Sequence, residues 1–431
     1  MTSSTVRILQ LGDVHYPEAK AQGAAIDIKD PTFSPSVANS LSLQPFQAVS
    51  RSLRKLIEQS GIDALVLMGD LTSKGSQSGY EECVDFLSKS LFSLFPEVNW
   101  PGTIMLLAGN HDVDRKNYSV ADLTSKFDPL NEILGRYRLP KLPVDAISTI
   151  RLDQTAGLGA VIYGMNSCIG CAEKRYLPTV LREEIFKAIS AKITDVSANK
   201  DQYDRLMLDI CEQLDTPAIE SARVTELTEG VTELRQSFIP IVAAHHNLMP
   251  QVTPRVAMYT ELVNSGQVRK SLLELNRTIL YLHGHVHEDP IEIIHDPRFP
   301  QSQVISVSAP EMSAGFNIID VVFHRSGAPL GCRITPYRVR PTGQVLAMDA
   351  VRIPFSIRGP TAALSAMAHQ VFSALSGVEV MFHADLKGRV GTSTDAAETF
   401  EDALEELTWK QLIAVDNGTQ DHSAWRVRKL I

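Results

Sequence analysis

The sequence has no apolar run long enough to span a bilayer, and Met1 to Gly12 lacks the extended apolar stretch of a signal peptide. A cytoplasmic protein without membrane partners is therefore expected. Cysteine is scarce, and an odd count of five in 431 residues leaves no disulfide framework. Only Cys168 and Cys171 stand at Cys-x-x-Cys spacing. With no second pair to complete a zinc site, they read as two unrelated reduced thiols. Nor is there an excess of positive charge. The net charge of −9 argues against broad non-specific nucleic-acid binding. A local basic cleft can still sit inside an acidic total, so nucleic acid stays open as a partner. What is present is ordinary for a globular chain, 44% hydrophobic and 21% charged, and long enough for one large domain plus a smaller one.

Short apolar runs alternate with helical patterns, and several runs end in residue types that bind metals. Arg7 to Leu11 reads as a strand that stops at Gly12 and delivers Asp13 and His15. Alternate residues on a strand end face one side, so a carboxylate and an imidazole can grip one ion. Tyr16 to Leu43 lacks periodicity and reads as a long loop of the lid or binding type. Phe46, Val49, Leu53, Leu56 and Ile57 then keep helical spacing up to a stop at Gly61. Ala64 to Met68 is a buried strand ending at Gly69-Asp70, which completes a β-α-β unit. Tyr80, Val84, Leu87, Leu91 and Leu94 mark the next helix. Thr103 to Leu107 follows and runs into Gly109-Asn110-His111-Asp112. Three successive strands thus end in ligand types, at the carboxyl edge where open α/β sheets carry their sites.

Further along, Ala160 to Tyr163 is a strand with Asn166-Ser167-Cys168 in its loop. Leu181 to Phe238 is strongly charged, contains helical stretches such as Leu206, Ile210 and Leu214, and reads as an insertion covering one edge of the cleft. Ile239 to Ala244 presents His245 and His246. Thr278 to Leu282 presents His283, His285 and His287 at alternate positions. Val304 to Ser308 and Asn317 to Phe323 are closing strands, with Arg333 to Arg340 extending the sheet.

Asp13-x-His15, Gly69-Asp70, Gly109-Asn110-His111-Asp112, His245 and Gly284-His285-x-His287 resemble the five signatures of the calcineurin-like metallophosphoesterases, over residues 7 to about 324. The resemblance implies an α/β fold built as a two-sheet β-sandwich flanked by helices, with two divalent metal ions at the strand ends. By the same resemblance Asp13, His15 and His287 would hold one metal, Asn110, His245 and His285 the second, and Asp70 would bridge them. His111 would be the catalytic proton donor to the leaving oxygen, opposite attack by a metal-bridging hydroxide. A mixed oxygen and nitrogen donor set suits manganese, iron or zinc. Asp112 has two readings, as a partner that orients His111 or as a helix cap. Arg115 reads as a surface salt bridge with a substrate phosphate as the alternative, His246 is unassigned, and His283 reads as a core residue.

Gly69-Asp70-Leu71-Thr72-x-x-Gly75 and Gly-Asn-His-Asp look more like the cyclic-nucleotide and glycerophosphodiester phosphodiesterases than like Ser/Thr protein phosphatases. A phosphodiesterase acting on a phosphate ester such as a nucleotide is therefore expected. A nuclease, a phosphomonoesterase or a non-catalytic binding scaffold are the alternatives. Residues 1–345 are read as the phosphoesterase domain, with 181–238 as its helical insertion, 346–360 as a linker and 361–431 as a small C-terminal α+β domain. Its helix, short helix, longer helix and hairpin resemble a winged-helix module. The acidic third helix, with Asp395, Glu398, Glu401, Asp402, Glu405 and Glu406, would repel phosphates, so protein contact or self-association is expected of it instead.

Overall fold

The computed structural model describes residues 4–17, 22–24, 42–73, 75–91, 103–115, 122–155, 157–171, 184, 187, 188, 191, 215–250, 261–287, 290–324, 329–355, 364–391 and 397–430. The strand β1 (Ser4–Leu11) is followed by a short antiparallel pair, β2 (Gln22–Ala24) and β3 (Ser42–Leu43), within the stretch expected to be all loop. Then come β4 (Ala64–Leu67), β5 (Ile104–Leu106), β6 (Ser148–Thr155), β7 (Leu158–Gly164), β8 (Phe238–Ala243), β9 (Thr278–His283), β10 (Ile291–Ile294), β11 (Gln303–Ser308), β12 (Gly315–Phe323), β13 (Pro329–Val339), β14 (Val345–Ala347) and β15 (Val351–Pro354).

These build two mixed sheets. One runs β14-β13-β12-β1-β4-β5, with β15 also on β13, and the other runs β10-β11-β9-β8-β7-β6. Strand alternation explains the layers. On β1, Val6 and Ile8 face the second sheet, while Leu9 and Leu11 face the helices outside. Ala64 and Val66 on β4, and Ile239 and Ile241 on β8, complete the layer between the sheets. The helices Pro45–Ser60, Gln77–Ser90 and Asp128–Arg136 cover the first sheet. Ser221–Glu233 and Ser265–Glu274 cover the second. The fold is thus the expected helix-flanked sandwich. Gln10 is buried between the sheets, where its amide donates to the carbonyls of His283 and Val307 and accepts from Asn317.

One stretch differs from the sequence reading. Residues 346, 347 and 351–354, read as part of a linker, pair antiparallel with β13. Within that stretch the described proline, Pro354, falls at the strand end and does not interrupt the ladder. Most of the expected insertion, including Leu206, Ile210 and Leu214, lies outside the described residues. Its described part contains the helix Ser221–Glu233, packed through Val224, Leu227 and Val231 on the second sheet.

The C-terminal unit contains the helices Ala366–Ala374, His383–Val390 and Ala397–Trp409 and a three-stranded sheet of β16 (Val380–Phe382), β17 (Ile413–Asp416) and β18 (Arg426–Lys429). Trp409 seats it on Val322 and Leu330 of the first sheet. Among the described residues no helix is long and apolar enough to cross a membrane.

Candidate metal centre

The parallel strands β1, β4, β8 and β9 all point their carboxyl ends toward one edge, and the loops leaving them, with that of β5, carry the polar residues. The strands are buried on both faces and mostly apolar, so the candidate ligands gather in the turns beyond them. Those turns are tight. His15, Asp70, His285 and His287 all adopt positive φ, between 47° and 66°, a conformation uncommon for non-glycine residues and concentrated at functional sites.

Glycines let the turns approach each other. A Cβ on Gly109 would fall 1.9 Å from Asp70 Oδ1, and one on Gly284 would fall 2.6 Å from Asp13 Oδ1. Asp70 Oδ1 instead accepts from the His111 backbone N–H at 2.9 Å. In return Asp112 accepts from Leu71 N–H at 2.9 Å and from Gly109 N–H at 3.0 Å. Asp112 is therefore neither an orienter of His111 nor the cap of a following α-helix. It clasps the Asp70 loop to the His111 loop. Burial, with the nearby Asp70 charge, raises its carboxyl to about 7.

His111 is oriented by a group that sequence reasoning missed. Its Nδ1 donates to the carbonyl oxygen of Ser73 at 2.9 Å. A carbonyl only accepts, so Nδ1 keeps its proton and the exchangeable proton sits at Nε2. That nitrogen lies 4.0 Å from Asp70 Oδ2, on a side chain 21% exposed. Nothing in the local sequence announces a main-chain acceptor 38 residues away.

All seven candidate ligands lie in this cluster. His287 Nε2 meets Asp13 Oδ2 at 2.8 Å and His15 Nε2 at 3.3 Å, and the donor atoms of Asp13, His15 and His287 form one group able to hold an ion. His245 Nδ1 donates to Met68 O at 2.7 Å, which leaves Nε2 facing Asn110 Oδ1 at 3.2 Å and Asp70 Oδ2 at 3.3 Å. His245 and His285 belong to a second group, which also contains His246. Asp70 Oδ2 stands between the groups, 4.0 Å from His15 Nε2.

The electrostatics are those of a site built for cations. Burial works to raise the carboxyls of Asp13 and Asp70, but the neighbouring imidazoles hold both below the usual range. Burial likewise opposes charge on His245, yet the Asp70 carboxylate drives it up to about 10. A ring nitrogen and two oxygens converge there, and their lone pairs tolerate one another only around positive charge. Burial, with the charge of His245, pushes His285 down to about 3, so it offers a neutral ring of the kind metals take.

The remaining candidates separate. His283 is a core residue, buried, with Nδ1 toward the Gly284 carbonyl. Arg115 forms a two-pronged ion pair with Asp215 at 2.6 and 2.9 Å. His246 is buried, with Nδ1 2.9 Å from Ser167 Oγ and its ring 4.5 Å from that of His285. Cys168 and Cys171 are free, buried thiols, but they are not unrelated: their sulfurs and a nitrogen of His246 lie within 4.8 Å of one another. Buried Lys126 holds their loop by donating to the carbonyls of Cys168, Ile169 and Cys171 at 3.0, 2.7 and 2.7 Å.

Fold and site together define a class: a helix-flanked double sheet with a cluster of carboxylates and imidazoles able to hold metal ions on its strand ends. The chain belongs to the calcineurin-like phosphoesterase family, whose profile matches residues 6–289. No curated protein matches the chain by sequence. Similar solved structures include a dimetal phosphatase from Danio rerio, 10% identical, covering 82% of this chain and 100% of that one with a TM-score of 0.44. A 5′-nucleotidase precursor from Thermus thermophilus is 13% identical, over 80% of this chain and 54% of that one, with a TM-score of 0.38. A calcineurin-like phosphoesterase from Bacillus subtilis is 11% identical, over 95% and 100%, with a TM-score of 0.33.

Proposed function

We propose that the chain is a metal-dependent phosphodiesterase, with Asp13, His15 and His287 holding one divalent ion, Asn110, His245 and His285 a second, and Asp70 shared between them. The observation that carries this is the place of Asp70 Oδ2, within 4.0 Å of His15 Nε2 and 3.3 Å of His245 Nε2, between the two donor groups. The mixed oxygen and nitrogen donors suit manganese, iron or zinc. Bound there, such ions would supply positive charge to the phosphoryl oxygens and acidify water at the cleft.

The chain's own residues do the rest. Ser73 O and the Asp70 clasp fix the His111 ring, so its Nε2 proton faces the cleft and can pass to the leaving oxygen. Asp112 keeps the two loops in register, which holds Nε2 at a constant distance from Asp70. The reading predicts that an aryl phosphodiester is hydrolysed in manganese, that chelation abolishes turnover, and that His111→Ala lowers kcat by about 10² to 10⁴ while metal content holds. Turnover of the matching monoester alone would replace the diester reading with a phosphomonoesterase. No turnover of either with metal bound would favour a binding scaffold.

The C-terminal unit is proposed as a winged-helix-like module for protein contact or self-association, supported by its three helices, its hairpin and its acidic third helix.

A further inference from the structure

The C-terminal unit gathers three metal-ligand side chains from three separate elements. His383 opens the helix His383–Val390, Glu401 lies on the helix Ala397–Trp409, and His422 opens the 3-10 turn His422–Ala424 between β17 and β18. His383 Nε2 donates to Glu401 Oε1 at 2.6 Å, and His422 Nδ1 stands 3.8 Å from the same oxygen. One donor atom from each residue lies within 4.8 Å of the other two. The two imidazole centroids are 5.0 Å apart, and Trp425 packs on the His422 ring at 4.3 Å.

Satisfaction of the carboxylate is incomplete. Glu401 Oε2 is shielded from solvent and has no hydrogen-bond partner among the described residues. An ionised carboxylate with one oxygen unpartnered and out of water is costly, and a protein keeps such a group where something else meets it. Access exists on one side only, because the His383 and Glu401 side chains are 6% and 12% exposed while that of His422 is 54% exposed.

We propose that His383, Glu401 and His422 form a divalent transition-metal site, zinc fitting best, that clasps the β17–β18 hairpin to the helices of the C-terminal unit. Two imidazoles and one carboxylate form a zinc donor set with a fourth position open to water, whereas calcium and magnesium require mostly oxygen. Zinc bonds of about 2.0 to 2.2 Å put ligand atoms of a tetrahedral site roughly 3.4 Å apart. The ion therefore replaces the proton shared by His383 and Glu401, parts that pair by less than about 1 Å, and draws His422 inward by about half that. The site is independent of the centre at Asp70 and needs none of its residues.

Zinc per chain decides it, measured on the full-length protein after loading with excess zinc and gel filtration. Glu401→Gln and His422→Gln should each hold one zinc fewer than the unaltered chain, and the same one-zinc difference should persist in an Asp70→Asn background. With cobalt in place of zinc, His422→Gln should lose one component of the visible absorption. Should Glu401→Gln misfold by circular dichroism, the half-exposed His422→Gln carries the comparison alone. Equal zinc content in the unaltered chain and a folded His422→Gln overturns the proposal and makes the cluster a hydrogen-bonded strut.

Discussion

Gly109→Ala isolates close approach from backbone conformation. Gly109 has φ −99° and ψ 173°, which alanine adopts without strain, so the only consequence of the methyl is where it lands. It would lie 1.9 Å from Asp70 Oδ1 and 2.3 Å from Asp70 N, against ordinary contact at 3.4 Å or more. The two loops must part by about 1.5 Å, because moving the Asp70 side chain off the Oδ1 position where it holds His111 N–H would still leave the methyl against Asp70 N. Overpacking of this kind costs about 1 to 3 kcal/mol of stability. Misplacing a reacting group by about 1 Å costs on the order of 10² in rate. The expected result is therefore a folded protein, destabilised by that amount in urea, with kcat on an aryl phosphodiester down by about 10² or more in saturating manganese. Gly135→Ala is the matched control, because nothing lies within 4 Å of its added methyl on the helix Asp128–Arg136. It should raise stability by about 0.4 to 1 kcal/mol and leave kcat unchanged. A Gly109→Ala variant with undiminished kcat and stability would refute the reasoning.

Lys126→Met removes the donor to three carbonyls and should cost on the order of 3 kcal/mol in urea unfolding, with faster modification of Cys168 and Cys171 by a thiol reagent as their loop loosens. Burial holds His283 down at about 4 against an ordinary 6.5. The unfolded chain therefore binds the proton first on acidification, and this histidine's contribution of about 3 kcal/mol is lost as pH falls from 6.5 to 4. The stability difference between the unaltered protein and His283→Leu should change by that amount across this window, and a pH-independent difference would contradict it. Chelation followed by gel filtration should lower the melting temperature, and manganese should restore it, because buried Asp13 and Asp70 lose their counter-charge.

The strand ends were legible because their signal is local. A run such as Ala64 to Met68 must be buried, and the glycine and carboxylate that follow it must lie at an edge. Asp13, His15, Asp70, Asn110, His111, His245, His285 and His287 could all be named on that ground and from the resemblance, and one cluster contains them all. The role of Asp112 was not legible. Its partners, Leu71 N–H and Gly109 N–H, lie on two different loops, and only the pairing of β4 with β5 brings those loops together.

The sequence by itself determined which residue types stand at each strand end, because a short apolar run followed by glycine and a polar group has few ways to fold. Tertiary structure decided the rest. It chose the Ser73 carbonyl that sets the His111 tautomer, joined Cys168 and Cys171 to His246, and seated Lys126 beneath them. It also brought His383, Glu401 and His422 to one point. Each of these depends on distances between segments far apart in the chain, which no local pattern encodes.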